Sequence, residues 1–196
     1  MNFSVAYGGG MRAGNQTAVD SSVAETVVLL NERGEPIGEE SKWAVHHEST
    51  PLHLAFSLYL RDPAGRVLMT RRALSKLTWP GVWTNTCCGH PRLGESFPDA
   101  IARRLDFELG MTVRDLEPTL PDFRYRARDA SGVWENEICP VYVGRTGTDA
   151  PTVRANPAEV VEWAWVDWDD LVAAARATPF AFSPWAVSQL GLLTLK

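Results

Sequence analysis

The sequence has few cysteines and no long hydrophobic run, and both scarcities narrow the class of protein. Its three cysteines are an adjacent pair, Cys87 and Cys88, and an isolated Cys139. Because this number and spacing do not make a disulfide framework, we expect free thiols and a reducing, cytoplasmic location. A transmembrane helix needs about 18 or more consecutive apolar residues. No run of that length occurs, so we expect no membrane association.

Positively charged residues are also in short supply. Lysine and arginine total 19 against 24 aspartates and glutamates, which gives a formal net charge of -5. Domains that bind nucleic acids usually carry a basic excess that neutralises backbone phosphates, so we expect no nucleic-acid partner. An anionic small molecule remains compatible with this charge, because it needs only a local basic cluster. No feature of the sequence calls for an obligatory protein partner.

The length and composition fit one globular domain that follows a polar extension. The chain has 196 residues, of which 45% are hydrophobic, and this is enough for a sizeable core. Residues 1–24 contain Gly8-Gly9-Gly10 and many polar residues, with neither an apolar run nor the features of a secretory signal. We therefore predict a disordered extension over residues 1–24 and a single domain over residues 25–196.

Runs of β-type residues, bounded by glycine and proline turns, alternate with a few helical segments. Ile101, Leu105 and Leu109 recur every four residues between Ser96 and Gly110, and this spacing predicts a helix. Two further helices are predicted at 167–177 and 183–193. The predicted strands are 26–31, 53–60, 67–70, 82–88, 122–128, 133–143 and 160–166. This arrangement indicates an α+β fold with a mixed or antiparallel β-sheet covered by helices.

Histidines and carboxylates from three separate segments form a candidate metal site, because both are ligands of Zn²⁺, Mn²⁺ and Mg²⁺. The candidates are His46, His53, His90, Glu135 and Glu137. The two glutamates are two residues apart on a predicted strand, so they point to one face and repel each other unless a cation or proton lies between them. One alternative is that this strand face is simply solvated. The adjacent His47 is an alternative to His46.

A continuous motif begins at Asn85 and ends at Gly110. It reads Asn-Thr-Cys-Cys-Gly-His-Pro-Arg-Leu-Gly-Glu, followed by a helical stretch that ends Arg-Arg-Leu-Asp-Phe-Glu-Leu-Gly. Together with the segment from His46 to His53 and with Glu135-Asn136-Glu137, this motif closely resembles the metal-dependent (type I) isopentenyl-diphosphate isomerases. These enzymes are relatives of the Nudix hydrolases. The resemblance runs from about Thr26 to about Leu190.

The resemblance implies a Nudix-like α/β/α sandwich and a divalent ion, Mn²⁺, Zn²⁺ or Mg²⁺, held by the three histidines and two glutamates named above. It also implies that Cys88 and Glu137 are an opposed acid and base, with Tyr125 near that carboxylate. Cys88 is also counted among the candidate metal ligands. Trp185 matches a tryptophan whose indole face stabilises a carbocation. The alternatives are that Trp185 is a core anchor and that Cys87 and Cys88 are both small buried hydrophobes.

Basic residues lie where the family binds the diphosphate of its substrate. By the resemblance these residues are Lys42, Arg72, Lys76 and Arg104. Glu108 is implied to help hold a Mg²⁺ ion that arrives with the diphosphate. The alternatives are that the basic side chains are only solvated, and that Arg104 and Glu108, four residues apart on a helix, form a surface salt bridge.

The sequence therefore predicts an enzyme that interconverts isopentenyl diphosphate and dimethylallyl diphosphate by protonation and deprotonation through a carbocation-like species. One rival is a Nudix diphosphohydrolase, which would need carboxylates at the positions of Arg104 and Phe107. A second rival is a catalytically inactive Nudix-like module that binds a diphosphate or nucleotide. That module would have no need of Cys88 and Glu137 together.

Overall fold

The computed structural model describes residues 25–148 and 152–193. The predicted disordered extension, residues 1–24, lies outside the described residues. No helix in the described part of the chain is long and apolar enough to cross a membrane. The α-helices are α1 (Lys42–Val45), α2 (Phe97–Leu109), α3 (Trp168–Ala177) and α4 (Pro184–Leu192), with a 3₁₀ helix at Pro179–Ala181. The strands are β1 (Thr26–Leu30), β2 (Pro36–Ser41), β3 (His53–Leu54), β4 (Phe56–Arg61), β5 (Val67–Arg72), β6 (Trp83–Thr84), β7 (Cys87–Gly89), β8 (Val113–Leu120), β9 (Arg124–Arg128), β10 (Trp134–Ile138), β11 (Val141–Thr146) and β12 (Val160–Val166).

The strands form two sheets. The five-stranded sheet has the order β2-β1-β3-β10-β9. The seven-stranded sheet has the path β12-β5-β4-β11-β8, with β6 paired to β5 and β7 paired to β4. Each sheet contains one parallel pair, β3 with β10 and β4 with β11, beside its antiparallel pairs. The predicted α+β class and the mixed sheet are confirmed.

Helices cover both faces of the seven-stranded sheet. Along β4, Leu58 and Leu60 pack in the same buried cluster as Ile101 of α2. Tyr59, between them, packs in the opposite cluster with residues of α3 and α4, such as Leu171. This alternation is the period of a strand that is buried on both faces. The layers are therefore α2, the sheet, and the pair α3 and α4, as the sandwich prediction requires.

Helix α2 begins and ends where the sequence predicts. The side chain of Ser96 accepts a hydrogen bond from the backbone N–H of Asp99, which satisfies one of the free donors of the first turn. Gly110 ends the helix in the left-handed region at φ 60°, a conformation that glycine adopts without steric cost. These two caps fix the ends of the helix that carries Arg104 and Glu108.

Three predicted strands are each divided in the structure. The predicted strand 133–143 is two strands, β10 in one sheet and β11 in the other, separated by Cys139 and Pro140. Likewise 53–60 divides into β3 and β4, and 82–88 into β6 and β7. The β-type pattern continues through these junctions, so it predicts one strand where the chain changes its hydrogen-bonding partner. Strand β8 was not predicted, because its sequence is largely polar and exposed.

Candidate metal and active site

Four side chains from separate elements converge on one point. The nearest ligand atoms of His46, His53, His90 and Glu137 all lie within 4.8 Å of one another. His46 directly follows α1, His53 lies in β3, His90 follows β7, and Glu137 lies in β10. The parallel pairing of β3 with β10 sets His53 opposite Glu137. The two sheets and the turn after α1 therefore each contribute to the group.

The imidazole rings are oriented by the backbone. The Nδ1 atom of His53 lies 2.9 Å from the carbonyl oxygen of Pro51, and Nδ1 of His46 lies 3.3 Å from that of Lys42. These contacts leave the Nε2 atoms facing inward, a common arrangement for histidines that bind metals. Nε2 of His53 and of His90 lie 3.4 Å and 3.3 Å from the same oxygen of Glu137.

The buried polar atoms of this group fit a divalent cation. Nε2 of His46, Nε2 of His53 and Oε2 of Glu135 are buried without a hydrogen-bond partner. Such atoms are costly unless something satisfies them, and imidazole nitrogen with carboxylate oxygen is a donor set that Zn²⁺, Mn²⁺ and Mg²⁺ accept. The described residues therefore include a site able to hold a metal ion.

Three predicted metal ligands lie outside the group of four. Glu135 lies outside the group of four, although its Oε2 is 3.0 Å from Nε2 of His46. Cys88 and Glu108 are also outside the group. The exposed His47 is outside it too, and its Nδ1 accepts a hydrogen bond from the backbone of Ser49 instead. Between the adjacent histidines, the structure brings His46 to the site.

The electrostatics of the group favour the metal-binding protonation state at His90 and at Glu137, but not at His53. Burial lowers the pKa of His90 to about 4, although Glu137 acts in the opposite direction. Burial would raise the pKa of Glu137, but its close contacts with His53 and His90 outweigh burial, and the pKa lies well below the usual range. For His53 burial lowers the pKa, and the contact with Glu137 outweighs this effect and raises it. A neutral His90 and an ionised Glu137 are the forms that coordinate a cation.

Cys88 is a half-buried thiol on the α3 and α4 side of the sheet. Its sulfur donates a hydrogen bond to Oδ1 of Asn85 at 3.1 Å and lies 3.5 Å from Oγ of Ser57. Burial raises the pKa of Cys88 to about 11, so at neutral pH it carries its proton. Cys87 packs in the cluster that contains α2, on the opposite face. Cys87 and Cys139 are buried, and all three cysteines are free.

Two aromatic side chains lie beside these groups. Tyr125 in β9 is the cross-strand partner of Glu137, and its ring lies 5.5 Å from that of Trp185. Burial, followed by the nearby Glu137 charge, raises the pKa of Tyr125 well above its ordinary value. The buried Trp185 donates from Nε1 to Oδ1 of Asn85 at 3.1 Å, and the guanidinium of Arg72 lies 5.5 Å from its ring centre. Trp185 is therefore both part of the core and adjacent to the site.

A basic pocket opens next to His90. Its lining is Glu25, Thr26, Lys42, His90, Arg92, Arg103 and Arg104. Lys42 is ion-paired with Glu25, and the pKa of Lys42 is lowered by burial and by the positive charge of Arg104. Arg104 pairs with Glu108, with Glu25 at 3.1 Å and with Glu159 at 3.3 Å. The buried Arg104–Glu108 pair is not the solvated surface bridge of the alternative prediction.

The other two predicted basic residues lie around this pocket and not on its lining. Lys76 pairs with Glu159, which in turn contacts Arg104. Arg72 donates to the carbonyl oxygens of Thr78 and Trp79 on the Trp185 side. The structure thus brings Lys42, Lys76 and Arg104 into one electrostatic network and places Arg72 apart from it.

Three residues that help to build the site were not predicted from the sequence, and two of them carry no sequence signal. Glu25 and Glu159 are single acidic residues without a motif, and only the tertiary structure brings them to Arg104. Asn85 begins the cysteine motif and could have been found there, because a buried amide at such a position needs partners for all its polar atoms. Its Nδ2 donates to the carbonyl oxygens of Leu58 and Cys87.

Comparisons with known proteins agree with this fold. The model of the NUDIX domain matches residues 51–186. The isopentenyl-diphosphate Delta-isomerase of Frankia alni is 56% identical over 177 residues, which cover 90% of this chain and 89% of that protein. The enzyme of the same name from Agromyces mediolanus is 56% identical over 174 residues, 88% of this chain and 82% of that protein.

Solved structures share the fold at low sequence identity. DR0079 from Deinococcus radiodurans superimposes with a TM-score of 0.66 at 22% identity, covering 86% of this chain and 98% of that one. A MutT NUDIX hydrolase from Burkholderia pseudomallei gives a TM-score of 0.55 at 20% identity, with coverage of 73% and 98%. These likenesses concern the fold alone.

The fold and the matched span first define a protein of the Nudix class. Within that class, the high identity over most of its length shows that the chain belongs to the isopentenyl-diphosphate Delta-isomerase family.

Proposed function

We propose that this protein isomerises isopentenyl diphosphate to dimethylallyl diphosphate, and is therefore an enzyme of isoprenoid biosynthesis. The proposal rests on membership of the isomerase family together with the residues found at the site. The carboxylate of Glu137 lies at the convergence of His53 and His90, and the thiol of Cys88, outside that group, is close enough to feel the charge of Glu137. Curated relatives with this name are 52–58% identical to the chain.

The reaction moves a carbon–carbon double bond and needs two proton-transfer groups. One group adds a proton to the terminal methylene carbon, and the other removes a proton from the carbon two positions away. We assign these roles to Cys88 and Glu137 without fixing which acts first. The cross-strand neighbour Tyr125 is proposed to assist proton transfer at Glu137. The indole face of Trp185 is proposed to stabilise the positive charge that develops between the two transfers.

A divalent ion, Mn²⁺, Zn²⁺ or Mg²⁺, is proposed to bind His46, His53, His90, Glu135 and Glu137. When bound, the ion supplies positive charge that holds the clustered carboxylates together in their ionised form. The unpartnered Nε2 atoms of His46 and His53 support this assignment. The residues themselves help to fix the position of Glu137, because its partners are His53 of the five-stranded sheet and His90, which follows β7 of the seven-stranded sheet.

The diphosphate is proposed to bind the basic pocket with one Mg²⁺ ion. The candidate residues for the diphosphate are Lys42, Arg72, Lys76 and Arg104, and the candidate for the Mg²⁺ is Glu108. The pocket next to His90 supports the proposal, since it contains Lys42 and Arg104 and would set an anionic group beside the proton-transfer pair. Arg92 and Arg103 on the same lining add to the positive charge.

The cell compartment and the partners are also part of the proposal. Three free thiols suit the reducing cytoplasm. The diphosphate substrate is the one partner we assign.

An isotope experiment tests the isomerase against its rivals. The purified protein with Mn²⁺ and Mg²⁺ is incubated with isopentenyl diphosphate in deuterated water, and the recovered substrate and the dimethylallyl product are analysed by NMR and mass spectrometry. We expect deuterium in the product and in recovered substrate, because the proton-transfer groups exchange with solvent. Phosphate release is measured alongside and should be slow, since α2 carries Arg104 and Phe107 where a hydrolase needs carboxylates. Phosphate release as fast as isomerisation would support the alternative of a Nudix diphosphohydrolase. Binding of the diphosphate without either reaction would support the alternative of an inactive binding module.

A further inference from the structure

Thr78 lies in the connection between β5 and β6, where it touches two residues of the site. Its side chain is buried, and its hydroxyl donates a hydrogen bond to Oε1 of Glu135 at 2.7 Å. The guanidinium of Arg72 donates to the same hydroxyl oxygen at 3.2 Å and to the backbone carbonyl of Thr78 at 2.8 Å. The hydroxyl is therefore a bridge between an arginine and a carboxylate.

The direction of this bridge follows from the atoms available. A threonine hydroxyl has one hydrogen to donate and lone pairs that accept. Arg72 can only donate, so it occupies a lone pair and leaves the single hydrogen for Glu135. The acceptor is a carboxylate, and hydrogen bonds to charged groups are stronger than those between neutral groups. One oxygen of Glu135 is thus fixed by Thr78.

The other oxygen of Glu135 is then free for the site. Oε2 has no hydrogen-bond partner, is buried, and lies 3.0 Å from Nε2 of His46. A carboxylate held at one oxygen by a protein donor, with the second oxygen free among imidazoles, is the arrangement in which outer residues orient metal ligands.

We infer that Thr78 is a positioning residue that orients the carboxylate of Glu135 toward the metal ion and connects it to Arg72. The inference rests on the proposed metal site. It adds a residue outside the group of ligands and predicts that metal affinity depends on a single hydroxyl group.

The test compares Thr78→Val with Thr78→Ser by titrating the metal-free proteins with Mn²⁺ in a calorimeter, without substrate. Valine has nearly the shape of threonine and lacks the hydroxyl, whereas serine keeps it. We expect Thr78→Val to weaken Mn²⁺ binding about tenfold, the lower end of the effects seen for outer-residue mutations, and Thr78→Ser to bind like the wild type. Thr119→Val removes a hydroxyl from the edge strand β8 of the other sheet, and should leave Mn²⁺ binding unchanged.

The outcomes separate this inference from the metal site itself. If the wild type binds no Mn²⁺, the proposed metal site fails and the inference fails with it. If the wild type binds Mn²⁺ and Thr78→Val binds it equally well, the site stands and the role of Thr78 is wrong. Equal weakening in Thr78→Val and Thr78→Ser would also overturn it, because the serine hydroxyl should rescue a positioning role.

A double variant provides a second measurement if Thr78→Val folds poorly. Glu135→Gln alone should weaken Mn²⁺ binding. If Thr78 acts through Glu135, the double variants that combine Glu135→Gln with Thr78→Ser or with Thr78→Ala should bind Mn²⁺ no more weakly than Glu135→Gln does. An additive loss with Thr78→Ala in the Glu135→Gln background would contradict the inference.

Discussion

Cys87 and Cys88 are neighbours in sequence and face opposite sides of the seven-stranded sheet. Successive side chains of a strand alternate between faces, so β7 sends Cys87 into the cluster with α2 and Cys88 toward Tyr59 and Trp185. Of these two thiols, Cys88 is therefore the one on the same side as Tyr125 and Trp185. The two thiols form a matched pair for testing the proposed chemistry, because each variant removes the same atoms from the same strand.

The first prediction concerns this pair. Cys88→Ala should lower kcat by more than about 10²-fold, the effect typical of losing one general acid or base. Glu137→Gln should do the same, and would also weaken the metal site. Cys87→Ala should keep nearly normal kcat and lose some stability, because it removes a buried sulfur from the α2 cluster. The measurements are steady-state kinetics and thermal unfolding.

The opposite pattern of activities would show that Cys88 is not the catalytic thiol. A well-folded but inactive Cys87→Ala together with an active Cys88→Ala would remove Cys88 from the mechanism. Circular dichroism of each variant guards against loss of activity by unfolding.

At the scale of elements, β7 and α2 approach each other closely at Gly89. A Cβ atom on Gly89 would lie 2.7 Å from Cγ of Arg104 and 3.1 Å from the ring of Phe56. Real Cβ contacts are longer than this, so a side chain here would push the arginine outward. Glycine at this position therefore allows the helix to hold Arg104 over the basic pocket.

Gly89→Ala is the second prediction. Overpacking of this kind costs about 1–3 kcal/mol of folding stability, so the melting temperature should fall. KM for isopentenyl diphosphate should rise roughly tenfold if about 1.4 kcal/mol of binding to the displaced guanidinium is lost. Gly191→Ala in α4 is the control, since a Cβ there meets nothing within 4 Å. An unchanged KM in Gly89→Ala would show that the position of Arg104 does not limit substrate binding.

The elements also show what sequence reasoning can reach. The caps at Ser96 and Gly110 predict α2, because their chemistry is local. The strand 133–143 was predicted as one element because alternation does not reveal a change of sheet, and Pro140, which lacks an N–H donor, was the available sign that the ladder breaks there.

The candidate site was predictable to the extent that its residues lie in motifs. His46, His53, His90 and Glu137 do, and the structure brings them together. Glu159 and Thr78 lie outside the motifs. Their roles depend on which loop folds over which strand, so the sequence did not predict them. The same holds for the ion pairs that surround Arg104. Such contacts are set by tertiary structure. They cannot be predicted from the residue periodicity or the secondary-structure propensity of a single sequence.

At the scale of the whole molecule, the metal site lies between the two sheets. His53 and Glu137 belong to the five-stranded sheet, and His90 directly follows β7 of the seven-stranded sheet. Bringing these ligands together without a cation leaves buried polar atoms unsatisfied. An ion at this site should therefore stabilise the relation between the sheets as well as the site.

Metal removal is the prediction at this scale. Treatment with a chelator should abolish isomerisation and lower the melting temperature, and Mn²⁺ should restore both. A ligand that binds only the folded state at about 100 times its Kd adds about 2.7 kcal/mol of stability, so the shift should be easily measured by calorimetry. The variant His53→Ala should be insensitive to the chelator. Full turnover by metal-free protein would show that the site is not needed for the reaction.

The five-stranded sheet has a small apolar cluster, and its local stability should therefore be lower than that of the rest of the molecule. That cluster has three buried members, Val28, Leu30 and Leu52, whereas the seven-stranded sheet lies between two much larger clusters. Without its ion, the five-stranded sheet should be a separate unit of low stability that unfolds while the rest stays native. Backbone amides of β1 and β10 would then exchange with deuterated solvent sooner than those of β4 and α2, and added Mn²⁺ would slow the first group more than the second.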